Sequence, residues 1–262
     1  MLPTPDTSHV PYERVYEPAE DSYLLLDTLS APAETAFLQS RFGPQQHSGA
    51  PLVVEIGPGS GVVIAFVVAQ AQRLFGTRDV LAAAVDVNSF ACGATNGTVK
   101  RAQTEEKETA GRCWLGSVRG DLVGPLRHGC VDVLIFNPPY VPSDEMPVPP
   151  ATWSDREDTT TGDSARKPTF DEDSYLLALS YAGGVDGMET TNRLLESLPE
   201  TLSDRGCAYV LLCARNKPDE VKQRVMAMGP EWRALTVGDS GKKAGWEKLQ
   251  IVRIWRENAS DI

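Results

Sequence analysis

The sequence predicts an α/β fold built on one doubly wound, mostly parallel sheet. Three observations carry that prediction. Apolar, strand-like runs recur along the chain: LVVEIG at Leu52–Gly57, LAAAVDV at Leu81–Val87 and VDVLIF at Val131–Phe136. Segments of helical length separate them, as parallel βαβ crossovers require. A glycine-rich stretch, EIGPGSG at Glu55–Gly61, carries one strand directly into a helix, the place where open α/β sheets bind ligands.

Taken in order, the elements are as follows. The first dozen residues, MLPTPDTSHVPY, are Pro-rich and unpatterned and are expected to lie loose on the surface, with residues 1–15 a flexible N-terminus. From Glu20, EDSYLLLDTLSAPAETAFLQ spaces Tyr23, Leu24, Leu26 and Leu29 as a helix does, before a polar link. Leu52–Gly57 is a buried strand, Val62–Phe75 a helix, Leu81–Val87 a second strand and Ser89–Arg101 a second crossover helix. CWLGSV at Cys113–Val118 is the next strand and Val131–Phe136 the one after it. Residues Ser143–Phe170 are polar and Pro-rich, too long for a simple connection, so they form a long loop that either faces a substrate or is a dispensable insertion. Helices near Asp173–Tyr181 and Met188–Leu202 flank AGGVDG, and CAYVLLCA at Cys207–Ala214 is another buried strand. A helix follows NKPDE, with Pro218 suited to its first turn. WRALTVGD and EKLQIVRIWR, joined by SGKKAGW, form an antiparallel final pair. There is no repeat and no second core.

Composition narrows the function. The 262 residues suffice for one full-sized domain, and the net charge of -11 opposes phosphate contacts, which need clustered Lys and Arg. No basic stripe is present, so nucleic acid is an unfavoured partner. No window reaches the length of a membrane span and no signal peptide is visible, which points to the cytoplasm, with the nucleus as a further site. Five cysteines, at Cys92, Cys113, Cys130, Cys207 and Cys213, show neither a CxxC pair nor a neighbouring His cluster. They read as small core residues, and no metal site is expected.

Glu55–Gly61 has the form ExGxGxG; the dinucleotide fingerprint would need a glycine where Val62 stands. Gly57, Gly59 and Gly61 allow a tight turn with close backbone approach, and the helix that follows offers N–H groups to an anion. Asp86 ends the second strand, where a carboxylate reaches the two hydroxyls of a ribose, although Asp86, Asn88 or Ser89 could equally cap the next helix. Asp121 and Leu122 follow the third strand, placed for an adenine amino group and the face of its ring; a turn Asp is the alternative. Acidic residues at three successive strand ends, Glu55, Asp86 and Asp121, make coincidence unattractive.

This set resembles class I S-adenosylmethionine-dependent methyltransferases, and NPPY at Asn137–Tyr140 narrows the resemblance to those that methylate planar nitrogens. VYEPAEDSYLLLDTL, Val15–Leu29, is similar to the signature of the HemK-like eukaryotic and archaeal branch, glutamine methyltransferases of class-1 release factors. The resemblance runs from about Tyr16 through Val141 and returns at AGGVDG. It departs at Ser143–Phe170, at Gln103–Arg112 and at the Pro-rich N-terminus.

The resemblance implies a Rossmann-like domain over residues 16–262, with a seven-stranded mostly parallel sheet, an antiparallel last strand and helices on both faces. It implies S-adenosyl-L-methionine as cofactor, with Ser22, Glu55, Gly57, Asp86, Asp121, Leu122 and Asn137 around it, and Gly59 and Gly61 in the same turn. The residues alone leave Asp21 or Ser22 as a plain helix cap. The implied substrate is the glutamine of a Gly-Gly-Gln loop. Adenine N6-methylation of DNA or RNA and protein lysine methylation are the alternatives. The implied partner is a small zinc-binding activator subunit on the edge strand near Cys113–Val118, where Trp114 and Leu115 look exposed.

Asn137, Pro138 and Tyr140 carry the chemistry. An amide nitrogen has its lone pair delocalised, the same resonance that keeps peptide bonds planar. Two acceptors aimed at the two N–H hydrogens orient the group and raise electron density on nitrogen as charge develops. The Asn137 side chain and the Pro138 carbonyl can supply them, since two prolines end the ladder and leave carbonyls free. Tyr140 can stack on the flat acceptor.

Overall fold

The computed structural model describes residues 2–46, 49–150, 169–241 and 248–257. Among these, seven strands form one sheet: β1 (Leu52–Ile56), β2 (Leu81–Asp86), β3 (Cys113–Arg119), β4 (Val131–Phe136), β5 (Leu202–Cys213), β6 (Trp232–Asp239) and β7 (Leu249–Arg256). Their order is β3-β2-β1-β4-β5-β7-β6. Pairings from β3 through β5 are parallel, and β7 is antiparallel to both β5 and β6. The chain reverses its winding between β1 and β4, which makes the carboxyl ends of those two strands the switch point of the sheet.

Eight α-helices flank it among the described residues: α1 (Glu20–Ser30), α2 (Pro32–Phe42), α3 (Val62–Ala69), α4 (Ala71–Phe75), α5 (Ser89–Glu105), α6 (Phe170–Tyr181), α7 (Glu189–Thr201) and α8 (Pro218–Met226). Strand residues alternate between two cores. Val53, Val133, Ile135 and Tyr209 pack with α1 to α5, whereas Val54, Leu134, Phe136 and Val210 pack with α7 and α8. A sheet covered on both faces requires apolar residues at every position, which is why its central strands are uninterrupted apolar runs. Every residue of α3 is buried, so VVIAFVVA is a core helix. No helix among the described residues is long and apolar enough to cross a membrane.

Several boundaries differ from expectation for local reasons. The helix from Glu20 breaks at Ala31, which is extended (φ -62, ψ 142) because Pro32 follows it. Val62–Phe75 is likewise two helices, parted at Gln70. Helix α6 starts at Phe170, three residues early, because Thr169 and Glu172 form a reciprocal capping box. Cys92, Cys207 and Cys213 are buried as expected, but Cys113 and Cys130 are only half-buried. Most of the long polar loop, residues 151–168, and most of the SGKKAGW hairpin, residues 242–247, lie outside the described residues.

The N-terminal segment is not loose. Val10 and Val15 are buried against Ala91 and Ala94 of α5, Asp6 pairs with Arg101 at 2.6 Å, and Arg14 Nε lies 3.0 Å from Asp173 of α6. Prolines signal irregular backbone, not absence of packing. Apolar residues spaced along this one hold it down as a strap over α5.

Candidate active site

β1 and β4 pair in register, Ile56 opposite Phe136. Gly57 and Asn137 therefore leave the sheet side by side, and the glycine turn and NPPY open onto one cleft. The cleft has about 1150 Å³ of empty volume, its open mouth included. Its walls include Ser22, Glu55, Gly57, Gly59, Asp86, Asp121, Leu122 and Asn137 of the expected set. Gly61, Pro138 and Tyr140 are not on the wall.

The glycine turn is built for close approach. Gly57, Gly59 and Gly61 all have positive φ, and a Cβ at Gly61 would meet the Thr95 backbone at 2.6 Å. Gly61 thus seats α3 against α5. The Gly59 amide donates to Asp86 Oδ2 (3.2 Å) and the Asn88 amide to Asp86 Oδ1 (2.8 Å). Asn88 itself caps α5, accepting from the Phe90 amide at 2.9 Å, which leaves Asp86 to face the cleft. Burial pushes the Asp86 carboxyl up to about 6 against the pull of those amide bonds.

Glu55 is 2% exposed and accepts from the Ile64 amide at 2.7 Å. It therefore serves the first turn of α3 as well as the cleft. Burial, with the charge of Asp86 adding to it, lifts its carboxyl to about 8 despite that hydrogen bond. Asp121 pairs with Arg193 of α7, and Leu122 beside it sits at φ 49, a left-handed conformation rare for a leucine.

Asn137 stands out. Its Oδ1 is buried and has no hydrogen-bond partner among the described residues. A buried acceptor without a donor costs about 1–3 kcal/mol, and native structures keep few of them. No hydrogen bond among the described residues reaches the Pro138 carbonyl either.

Behind NPPY, the AGGVDG stretch acts as a brace. A Cβ at Gly183 would lie 2.3 Å from the Pro139 carbonyl oxygen, and one at Gly187 (φ +69) 2.1 Å from that of Tyr140. Only backbone fits there. Asn216, in the short turn Ala214–Asn216 that follows β5, donates to the carbonyls of Tyr140 (3.2 Å), Asp186 (2.9 Å) and Gly187 (3.3 Å), and accepts from the Cys213 amide at 2.7 Å.

In front, Tyr140 and Tyr16 both donate their hydroxyls to Asp21 Oδ2, at 3.3 and 3.0 Å. Neither Asp21 nor Ser22 caps α1. Its N-cap is Ala19, without a side-chain cap, and Asp21 instead takes the amide and hydroxyl of Ser22.

Tyr16, which lies in the Val15–Leu29 signature without being singled out there, also lines the cleft, as do Met146, Leu176, Leu179, Thr190 and Arg193, which carried no sequence motif. Most of them lie on or beside α6 and α7, beyond the long loop, where nothing local announces a contact with residues some seventy positions earlier. The capping box at Thr169–Glu172 was the one available signal that a helix starts there.

The residues present suit S-adenosylmethionine. A glycine turn, an acidic side chain at the end of β2 and an apolar flank at Leu122 could hold its amino acid, ribose and adenine respectively.

No protein-family model matches the chain. It is 30% identical over 261 residues to the eRF1 methyltransferase catalytic subunit mtq2 of Schizosaccharomyces pombe, spanning 98% of this chain and 96% of that protein. It is 30% identical over 258 residues to methyltransferase HEMK2 of Mus musculus, spanning 96% of each. Among solved structures, the E. cuniculi Mtq2–Trm112 complex, described as responsible for methylating the termination factor eRF1, superposes with a TM-score of 0.52 at 20% identity, over 93% of this chain and 99% of that one. That likeness establishes the Rossmann-like methyltransferase fold. At such identity over nearly its whole length, the chain belongs to the Mtq2/HEMK2 family of class I methyltransferases.

Proposed function

We propose that this chain is a protein glutamine-N5 methyltransferase that modifies the Gly-Gly-Gln loop of a class-1 translation release factor, using S-adenosylmethionine. The observation that carries the reading is the buried, unpartnered Asn137 Oδ1 beside the glycine turn. When bound, S-adenosylmethionine supplies a methyl already activated on a sulfonium.

The protein's task is to present the nucleophile. Asn137 Oδ1 accepts one N–H of the acceptor amide and the Pro138 carbonyl the other, which fixes the plane of the amide and favours the positive charge that develops on nitrogen. Tyr140 offers its ring as a platform for that plane. Ser22, Glu55, Gly57, Gly59, Asp86, Asp121 and Leu122 hold the cofactor and its surroundings, and Gly61 supports the turn from behind the wall. The proton leaves to water after transfer, so no general base is required.

A small methyltransferase activator subunit completes the enzyme as a heterodimer on β3. That strand is the sheet edge, with Leu115 57% and Val118 50% exposed. The zinc implied for that subunit belongs to the partner. The cytoplasm, where release factors act, is the expected compartment, and the nucleus is a further one.

The test is transfer of labelled methyl from S-adenosylmethionine, with and without the activator, to a release factor and to duplex DNA. Labelling of the release factor is expected. Labelling of DNA alone would replace the reading with adenine methylation.

A further inference from the structure

Asp21 is a carboxylate with 3% exposure, and among the described residues no cation pairs with it. Buried carboxylates normally sit beside Arg or Lys, because burying an unpaired charge is costly. Here neutral donors take that place. Oδ1 accepts the Ser22 amide (2.6 Å) and hydroxyl (3.2 Å), while Oδ2 accepts the hydroxyls of Tyr16 (3.0 Å) and Tyr140 (3.3 Å).

The division between the two oxygens is informative. Ser22 and Tyr16 line the cleft, whereas Tyr140 belongs to the acceptor motif, 119 residues further along the chain from Asp21. Asp21 itself is not on the cleft wall. Both phenols stay protonated donors, because burial first and the charge of Asp21 second raise their pKa values well above the ordinary tyrosine range. A carboxylate is acceptor-only, with room for about four hydrogen bonds, so it can gather all of these donors at one point.

We propose that Asp21 is a positioning residue for methyl transfer, tying the Tyr16–Ser22 wall of the cofactor cleft to the Tyr140 ring of the acceptor clamp. It rests on the reading of Asn137–Tyr140 as that clamp. Without the tie, Tyr140 retains its partial packing against the core but loses the anchor of its hydroxyl, and Tyr16 is free to leave the wall.

Asp21→Ala removes both ties. Asp21→Asn keeps them: Oδ1 can continue to accept from Ser22 while the two amide hydrogens reach the tyrosyl oxygens. With the activator-bound enzyme, Asp21→Ala should lower kcat for the release factor at least tenfold with a smaller change in its KM, and weaken S-adenosylmethionine binding severalfold by calorimetry. Asp21→Asn should restore most of both. Tyr140→Phe should lower kcat but leave cofactor affinity unchanged, and Tyr16→Phe should do the reverse. These two keep the test open if Asp21→Ala does not fold.

Equal losses in Asp21→Ala and Asp21→Asn, or values within twofold of wild type in Asp21→Ala, would overturn the inference. Cofactor binding is read without an acceptor. A wild-type enzyme that ignores the release factor would therefore remove the substrate reading, while the binding arm still decides the tie.

Discussion

Asn137 reaches its place because β4 is buried along its whole length and then meets two prolines, which cannot continue a ladder. Removing its side chain removes a buried acceptor that no donor among the described residues satisfies. Asn137→Ala should therefore leave the melting temperature unchanged or slightly raised while lowering kcat by about 10²–10³, the usual cost of deleting one group that stabilises developing charge. Thermal unfolding and single-turnover transfer measure the two effects separately. Glu55 has the opposite character, because its burial costs stability once it ionises. Its carboxyl rises from 4.5 to about 8 on folding, so between these values the native state holds a proton that the unfolded chain has released. Stability conferred by the protonated form is complete below about 4.5 and is lost as pH climbs through 8; Asp86 adds the same trend between 3.8 and about 6. The cofactor-free protein should melt progressively lower from pH 5 to 8, and Glu55→Gln should flatten that slope. Glu55, Asp86 and Asn137 were all legible in the sequence, because each ends an apolar strand. Arg193 was not, since its contact with Asp121 spans 72 residues and no local pattern encodes it.

AGGVDG is the least obvious working element. It touches no expected ligand, yet Gly183 and Gly187 let its backbone press on the carbonyls of Pro139 and Tyr140, and Asn216 staples the two loops together. Gly187→Ala would force a side chain into a left-handed backbone, costing about 1–2 kcal/mol before the clash with Tyr140 is counted. Asn216→Ala should destabilise by about 1–3 kcal/mol, since it strips the donor from the carbonyls of Tyr140, Asp186 and Gly187. Both should lower kcat more than they weaken cofactor binding, because the glycine turn after β1 is untouched; transfer assays beside calorimetry check this. Element existence was readable from apolar runs separated by helix-length segments. Boundaries were less so. The Ala31–Pro32 break and the Thr169–Glu172 capping box both had local signals, but the first was outweighed by the helical spacing from Tyr23 to Leu29 and the second lay at the end of a stretch that reads as one polar loop. The strap of residues 2–15 shows the converse error, in which composition suggested looseness and a few buried side chains, Val10 and Val15 above all, decided otherwise.

On the scale of the whole molecule, the acidic surface and the exposed edge at β3 point the same way, towards protein partners. Strand order could not be derived from runs of apolar residues, which are alike in β1, β4, β5 and β7. Only the edge position of Cys113–Val118 was expected, and the observed order places β3 and β6 at the edges. The edge at β3 is bulged, Ala82 facing Trp114 and Ala83 facing Gly116, so that Leu115 has no opposite number in β2. Leu115→Lys should leave the fold and its melting temperature intact but abolish co-purification with the activator subunit, since only a surface side chain changes. The central claim is that the planar nitrogen held at Asn137 and Pro138 belongs to a glutamine side chain. Mass spectrometry of a release factor after reaction tests it most directly. One added methyl on the glutamine of the Gly-Gly-Gln loop, absent when that residue is changed to alanine, is the predicted result; a methyl retained in the alanine variant, or found on a lysine, would contradict it.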